Sequence, residues 1–293
     1  VGFDEAVFEM VEEYKDEPWF SQNFDVNFYA GSLLFRYRKY TESVRFLEDA
    51  YALHPDVHTR LWLATALTQV EGAEAAERRE EIFPFGEHAQ GGTAEGFPFR
   101  DISDQLGIRR WQLAGALSFF DMDNDSYLDM VANGVYSHPE LYRYKVGEGF
   151  VLTSDAALED IHNTPPGMVA ADFDNDGYRD LYLTQAAWFN AGSNRLLENN
   201  DGLGFVDRSG GDSALMEQNS CGAAALDFDR DGLVDLAVTG TMGGTLRLLK
   251  NLGNFVFEDV SDAAGIKALT ATAVGLAVGD VDNDGWPDIF VNA

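Results

Sequence analysis

Cysteine is nearly missing from this 293-residue chain: Cys221 stands alone. One thiol excludes an intrachain disulfide framework and any cysteine-rich zinc site. Basic residues are scarce as well, with 20 Lys and Arg against 50 Asp and Glu and a net charge of −30. That sign excludes a nucleic-acid binder or an anionic-membrane binder, because both surfaces recruit cationic partners. Apolar runs are short. The uncharged stretch Ala268 to Gly279 does not reach bilayer length. Catalytic signatures are missing too. His54 and His58 stand four apart, but Pro55 falls between them and no HExxH pattern occurs. Gly243-Gly244 and the Asn251 to Asn254 turn lack the lysine of a phosphate loop. Ser220-Cys221 precedes an apolar strand with no base marked beside it and reads as core packing.

What remains is rich in acid of two kinds. Fourteen of the 20 Glu lie in residues 1–95, and 25 of the 30 Asp lie after them, with 23 of the 29 Gly. Glu favours helix, whereas Asp and Gly favour turns and caps. The chemistry therefore switches near residue 90. The spacing predicts a helical domain over 1–83, a glycine-rich linker over 84–96 and a second domain over 97–293. Residues 4–16, 27–38, 40–53 and 57–70 carry apolar side chains at helical spacing, and a last helix runs from Gly72 to Ile82. Within this half, Gly31, Ser43, Ala50 and Pro55 stand where a tetratricopeptide repeat places its small residues and closing proline. Residues 24–56 resemble that family, and one 34-residue step puts Trp62 in register with Phe28. An ordinary helical hairpin bundle is the alternative.

The second half repeats one pattern four times. The copies begin at Asp121, Asp172, Asp227 and Asp280, so they start 51, 55 and 53 residues apart. Each spans nine residues, with Asp at positions 1, 3, 5 and 9; Gly fills position 6 in all but the first, where Ser126 stands. An apolar strand leads in and another leads out, as in Gly167-Met-Val-Ala-Ala and Leu181-Tyr-Leu. A phenylalanine precedes each loop at nearly fixed distance: Phe99, Phe150, Phe205 and Phe257. A period near fifty with about four short strands is the size of a propeller blade. Four carboxylates in nine residues repel one another unless a cation sits among them. Calcium takes six to eight oxygens in a flexible shell, while magnesium prefers few carboxylates. Positions 1, 3, 5 and 9 offer side chains, and position 7 offers a carbonyl. Glycine at position 6 permits the sharp positive-φ turn.

These loops resemble the FG-GAP/VCBS repeats of integrin α-type propellers and of cartilage acidic protein-like proteins. The segments Phe99 to Ile108 and Phe257 to Ile266 are especially similar to the latter group. The resemblance implies a multidomain α plus β chain, with tetratricopeptide-like hairpins first and then three to four calcium-binding β-propeller-type blades, an incomplete set. It also implies up to four Ca2+ sites. The first would use Asp121, Asp123, Asp125, the Tyr127 carbonyl and Asp129. The second would use Asp172, Asp174, Asp176, Tyr178 and Asp180. The third would use Asp227, Asp229, Asp231, Leu233 and Asp235; the fourth would use Asp280, Asp282, Asp284, Trp286 and Asp288. Ser126 at the turn position is expected to weaken the first site, and Arg230 is expected to weaken the third by its charge.

With no catalytic set marked, the expected function is a non-enzymatic, calcium-stiffened adhesion or scaffold protein. It would engage protein partners, or itself, through the helical region and open blade edges, and assembly into oligomers or filaments follows if such edges propagate. The alternatives are a polysaccharide-active enzyme on a calcium propeller and a soluble receptor for a glycan or protein. Tyr136, Tyr142, Trp188 and Phe189 would be the candidate aromatic contacts for a sugar, against a plainer role in packing. Sites of modest affinity suit millimolar calcium, which places the chain outside the cytoplasm: extracellular, at the cell surface, or periplasmic. No signal peptide is visible in this chain.

Overall fold

The structure, a computed structural model, describes residues 9, 11, 13–15, 17–70, 72–82, 105–108, 115–133, 138–161, 165–185, 193–210, 219–240, 246–266 and 275–292. The expected linker, Phe99, Tyr136, Trp188 and Phe189 lie outside these. The chain forms two compact units, Val1–Leu113 and Ala114–Ala293. Among the described residues, no helix is long and apolar enough to cross a membrane.

In the first unit the described helices are α1 (Pro18–Ser21), α2 (Phe24–Arg36), α3 (Tyr40–Leu53), α4 (Val57–Thr68) and α5 (Ala73–Ile82). Side chains fix two of the starts. Asn23 accepts the Val26 N–H at 3.1 Å, and Asp56 accepts that of Thr59 at 2.8 Å. Each satisfies a donor that has no partner within its helix. The Thr59 N–H, and then His54, hold the Asp56 carboxyl below its ordinary range. The small residues lie where α2 and α3 meet. A Cβ on Gly31 would sit 2.6 Å from Leu47 Cγ, and Ser43 donates its hydroxyl proton to the Gly31 carbonyl at 2.8 Å. Close approach of the two backbones thus requires glycine at that point. Ala50 is buried in the same seam. Trp62 meets Phe28 edge-on, with ring centroids 6.0 Å apart.

The second unit is built from short antiparallel strands. Three sheets have four strands each: β1 (Leu117–Phe120) to β4 (Gly149–Thr153), β5 (Met168–Ala171) to β8 (Phe205–Asp207), and β9 (Ser220–Leu226) to β12 (Phe257–Asp259). In each, sequence order is spatial order, so every sheet is a simple meander. A fourth sheet pairs β13 (Gly275–Gly279) with β14 (Asp288–Asn292). The described strands close no barrel.

The sheets stack face to face through apolar layers. Met122 and Val131 of the first pack with Leu181, Leu183 and Leu197 of the second. Phe173, Tyr182 and Leu196 on the second sheet's other face pack with Leu236, Val238 and Leu249 of the third. The third sheet's other face, with Ala237 and Leu248, receives Leu276, Val278 and Ile289 of the fourth. Alternation along each strand makes this two-sided packing possible, because neighbouring residues serve opposite layers. Two of the repeated phenylalanines, Phe205 and Phe257, belong to this packing. Phe205 and Phe257 open the fourth strands β8 and β12. Their rings lie 6.5 Å from Phe120 and 5.9 Å from Phe173, both in the preceding sheet.

Candidate metal centre

Each Asp loop joins the first two strands of its sheet. Backbone geometry repeats at two positions. Position 6 has positive φ in every copy: 94° at Gly177, 87° at Gly232, 84° at Gly285 and 74° at Ser126. Ser126 therefore holds a conformation that costs a side-chain-bearing residue energy. Position 4 is left-handed too, with φ near 60° at Asn124, Asn175, Arg230 and Asn283. Asparagine tolerates that region better than most residues. The sequence reading asked this conformation only of position 6.

The carboxylates organise the loop before any metal is considered. Position 1 accepts N–H groups from position 6: Ser126 to Asp121, Gly177 to Asp172 and Gly285 to Asp280 at 2.9 Å, and Gly232 to Asp227 at 3.1 Å. Position 5 accepts from position 7, as Tyr178 donates to Asp176 at 2.7 Å and Trp286 to Asp284 at 2.8 Å. Position 9 ties the loop to its sheet. Asp180 accepts from Phe173 N at 2.9 Å and from Asn199 N at 2.8 Å; Asp235 accepts from Phe228 N at 3.0 Å and from Asn251 N at 2.8 Å. Asp129 does the same with Met122 and Tyr144.

Three carboxylates of each loop then converge. In Asp121/Asp123/Asp129, Asp172/Asp174/Asp180, Asp227/Asp229/Asp235 and Asp280/Asp282/Asp288, one oxygen from each residue lies within 4.8 Å of the others. The expected position-5 ligands Asp125, Asp176, Asp231 and Asp284 fall outside these close groups. Position 9 is buried in the first three sheets, at 2% exposure for Asp129 and 0% for Asp180 and Asp235. Burial pushes all three carboxyls up, that of Asp180 to about 7, against the pull of their backbone N–H partners. Asp174 is raised as well, chiefly by burial. Three converging hard oxygen donors with one buried member fit a divalent cation of the calcium type. The ion would supply charge neutralisation and a cross-link between the first strand and the second.

The loops are also linked to one another. Asn124 donates its side-chain N–H to the Gly177 carbonyl, and Asn175 to that of Gly232, both at 3.1 Å. In the third loop Arg230 takes this position and stacks over the Trp286 ring at 3.9 Å from its centroid. Arg230 is directed to the neighbouring loop's aromatic ring, and the cation against the third loop's carboxylates is Lys250, paired with Asp229 and with Asp231.

Two residues essential to this geometry escaped the sequence reading. Asn199 donates to the carbonyls of Met122 at 2.9 Å and Arg179 at 3.1 Å, and accepts from Gly202 N at 2.8 Å. Asn251 repeats the arrangement with Phe173 at 2.8 Å, Val234 at 2.9 Å and Gly253 at 2.8 Å. Each thus clamps its own Asp loop to the loop of the preceding sheet. The signal was a fixed offset: both stand six residues before the repeated phenylalanine, and Tyr144 holds that place before Phe150. Of the histidines singled out, His54 pairs with Asp56 at 2.8 Å, and the His58 ring lies 5.2 Å from that of Phe28. Cys221 is buried.

Four-stranded meanders whose first hairpin carries a nine-residue Asp loop define a repeat class. The model of the FG-GAP-like repeat matches residues 121–183 and 227–291, so the chain carries FG-GAP-like repeats in these two stretches. Cartilage acidic protein 1 of Mus musculus is 29% identical over 126 residues, covering 41% of this chain and 19% of that protein. Its Xenopus tropicalis counterpart is 26% identical over 149 residues, covering 48% and 23%. The chain thus spans about a fifth of the length of these relatives. Among solved structures, a Bacillus licheniformis rhamnogalacturonan lyase PL11 is similar at 18% identity and a TM-score of 0.38, over 60% of this chain and 39% of that one.

Proposed function

We propose that this chain is a non-enzymatic, calcium-binding repeat protein that works outside the cytoplasm as an adhesion or scaffold module. One observation carries the reading: the same three carboxylates converge in all four loops, at the same place in each sheet. A catalytic centre needs one specialised site. The same triad repeated four times, three of them with a buried member, suits a distributed structural load. The kinship with cartilage acidic protein 1 supports an extracellular setting, where millimolar calcium saturates sites of modest affinity. Calorimetric titration of chelator-treated protein should give uptake of several calcium ions. Because each ion binds only the folded unit, saturation should raise the melting temperature, with about 2.7 kcal/mol per site at a hundredfold excess over Kd. Absence of uptake at about 10 mM calcium, about tenfold above the weakest Kd of extracellular calcium modules, would overturn the reading.

The scaffold part rests on the outer faces of the stack. Val281 and Phe290 are 79% and 71% exposed. At the equivalent places the first two sheets bury Met122 and Val131, then Phe173 and Tyr182, under the next sheet. At the other end, Leu117 and Phe119 are half exposed, at the places where the fourth sheet uses Leu276 and Val278 to pack backwards. The two faces are therefore the halves of the interface already repeated inside the chain, which either a further sheet of a longer chain or a second copy can continue. Sedimentation should show association that grows with concentration and is lost in Phe290→Asp. A monomer at every concentration would remove the self-assembly part.

A further inference from the structure

One position beside the Asp loops carries a cation in two of the three complete sheets and an anion in the other. The strand register defines it. Val131 pairs with Leu141, Tyr182 with Leu196 and Ala237 with Leu248, each partner lying opposite the residue two beyond position 9. Two residues further along the third strand stand Arg143, Glu198 and Lys250. Arg143 donates to the position-3 carboxylate Asp123 at 2.7 Å and also to the Gly202 carbonyl. Lys250 bridges position 3 and position 5, with its ammonium on Asp229 and 3.0 Å from Asp231 Oδ2. Glu198 instead adds a carboxylate on the side of Asp174, and is itself held by Arg208 Nε at 2.6 Å. The same strand position therefore presents a cation to the first and third loops and an anion to the second.

We propose that this third-strand residue grades the calcium affinity of the loops, with Glu198 making the second the tightest and Arg143 and Lys250 acting as resident cations that calcium must displace or repel. The inference rests on the calcium reading above. A divalent ion gains from every added carboxylate and loses to every fixed positive charge within a few ångströms. The two cations differ in what they do when the ion arrives. Arg143 keeps the Gly202 carbonyl as a second anchor. Both ion-pair partners of Lys250 are loop carboxylates; its ammonium sits on Asp229 Oδ2 while Asp229 Oδ1 is buried with no hydrogen-bond partner, so an ion taking Oδ1 meets a positive charge fixed on the same carboxylate. In low calcium the same ammonium offsets part of the third loop's negative charge, which favours its folded state. The loops therefore fill in order as calcium rises, the second before the first and third.

The test is a set of calorimetric calcium titrations on the whole chain, paired with melting temperatures in chelator. Wild type should show a tight class and a weaker class. Lys250→Met should move one weak site tighter by about tenfold or more, on the scale of one unit charge near contact at a protein surface. The same variant should melt lower than wild type in chelator. Glu198→Gln should loosen the tight class by about the same factor. Lys250→Arg keeps the charge and should reproduce the wild-type weak class, which separates electrostatics from packing. If wild type binds calcium and neither Lys250→Met nor Glu198→Gln changes the isotherm, the grading is wrong and the calcium reading stands. If no variant, Lys250→Met included, takes up calcium, the calcium reading itself fails.

Discussion

Replacing Asn251 with alanine should uncouple two neighbouring Asp loops without touching a carboxylate. The side chain makes three hydrogen bonds in a fully buried position: two donated, to Phe173 O and Val234 O, and one accepted from Gly253 N. At about 1 kcal/mol net for each, their loss costs about 3 kcal/mol. Alanine cannot satisfy the two carbonyls left behind, and the cost approaches about 5 kcal/mol if no water reaches them. The assay is urea unfolding in saturating calcium, followed by circular dichroism where strands dominate. With a slope of about 2–3 kcal/mol per molar urea, the midpoint should fall by about 1–1.5 M. Asn251→Asp keeps the acceptor, removes both donated bonds and adds a charge close to Asp235, so it should be worse than alanine. Asn199→Ala should behave like Asn251→Ala, since its side chain makes the equivalent bonds between the first and second sheets. A loss below about 1 kcal/mol for both alanine variants would refute the clamp, because isolated surface asparagines change stability by no more than about that.

Other outcomes follow from single features. Ser126→Gly should stabilise the second unit by about 0.5–1 kcal/mol, because glycine removes the strain of a φ of 74°; thermal melts of the pair would measure it. Gly31→Val should destabilise the helical unit by at least about 1–3 kcal/mol, since its Cβ meets Leu47 Cγ at 2.6 Å, and helical circular dichroism on heating would report it. In chelator, the Asp180 carboxyl holds its proton in the folded state up to about pH 7, whereas an unfolded aspartate releases it near pH 4. Between those values the folded state binds more protons, so metal-free stability should decline as pH rises from about 4 to 7. Saturating calcium should flatten that decline, because the ion neutralises the carboxylate that the proton would otherwise occupy.

The loops were legible in the sequence because their chemistry is local. Nine residues carry the donors, and glycine marks one of the two left-handed turns. The strands leading in and out were legible for the same reason, since alternating small and apolar residues lie beside the Asp that ends each loop. Long-range relations were harder to see. The phenylalanines were visible only as residues at a nearly fixed distance before each loop; that Phe205 and Phe257 open the fourth strand of a sheet depends on which strands pair. Arg230 was read as a charge inside its loop, yet its length carries it to Trp286, 56 positions away in the chain. Lys250 shows the converse. Nothing near it in sequence is acidic enough to announce a partner, and the third strand brings it to Asp229 through hairpin register alone. Asn199 and Asn251 were hidden because asparagine before a turn is ordinary, and only the fold reveals that their amides reach the preceding loop. In the helical half, Gly31 and Ser43 were visible as small residues at fixed spacing, and the contact with Leu47 supplies the reason for them.

The central claim is that a divalent ion sits among the position 1, 3 and 9 aspartates of each hairpin. A crystal grown in calcium, with anomalous scattering recorded, tests it directly. The expected result is a calcium peak coordinated by Asp172, Asp174 and Asp180 in the second loop, with matching peaks in its equivalents. Electron density for water alone at those places, or for a lysine ammonium that calcium fails to displace from Asp229, would contradict it.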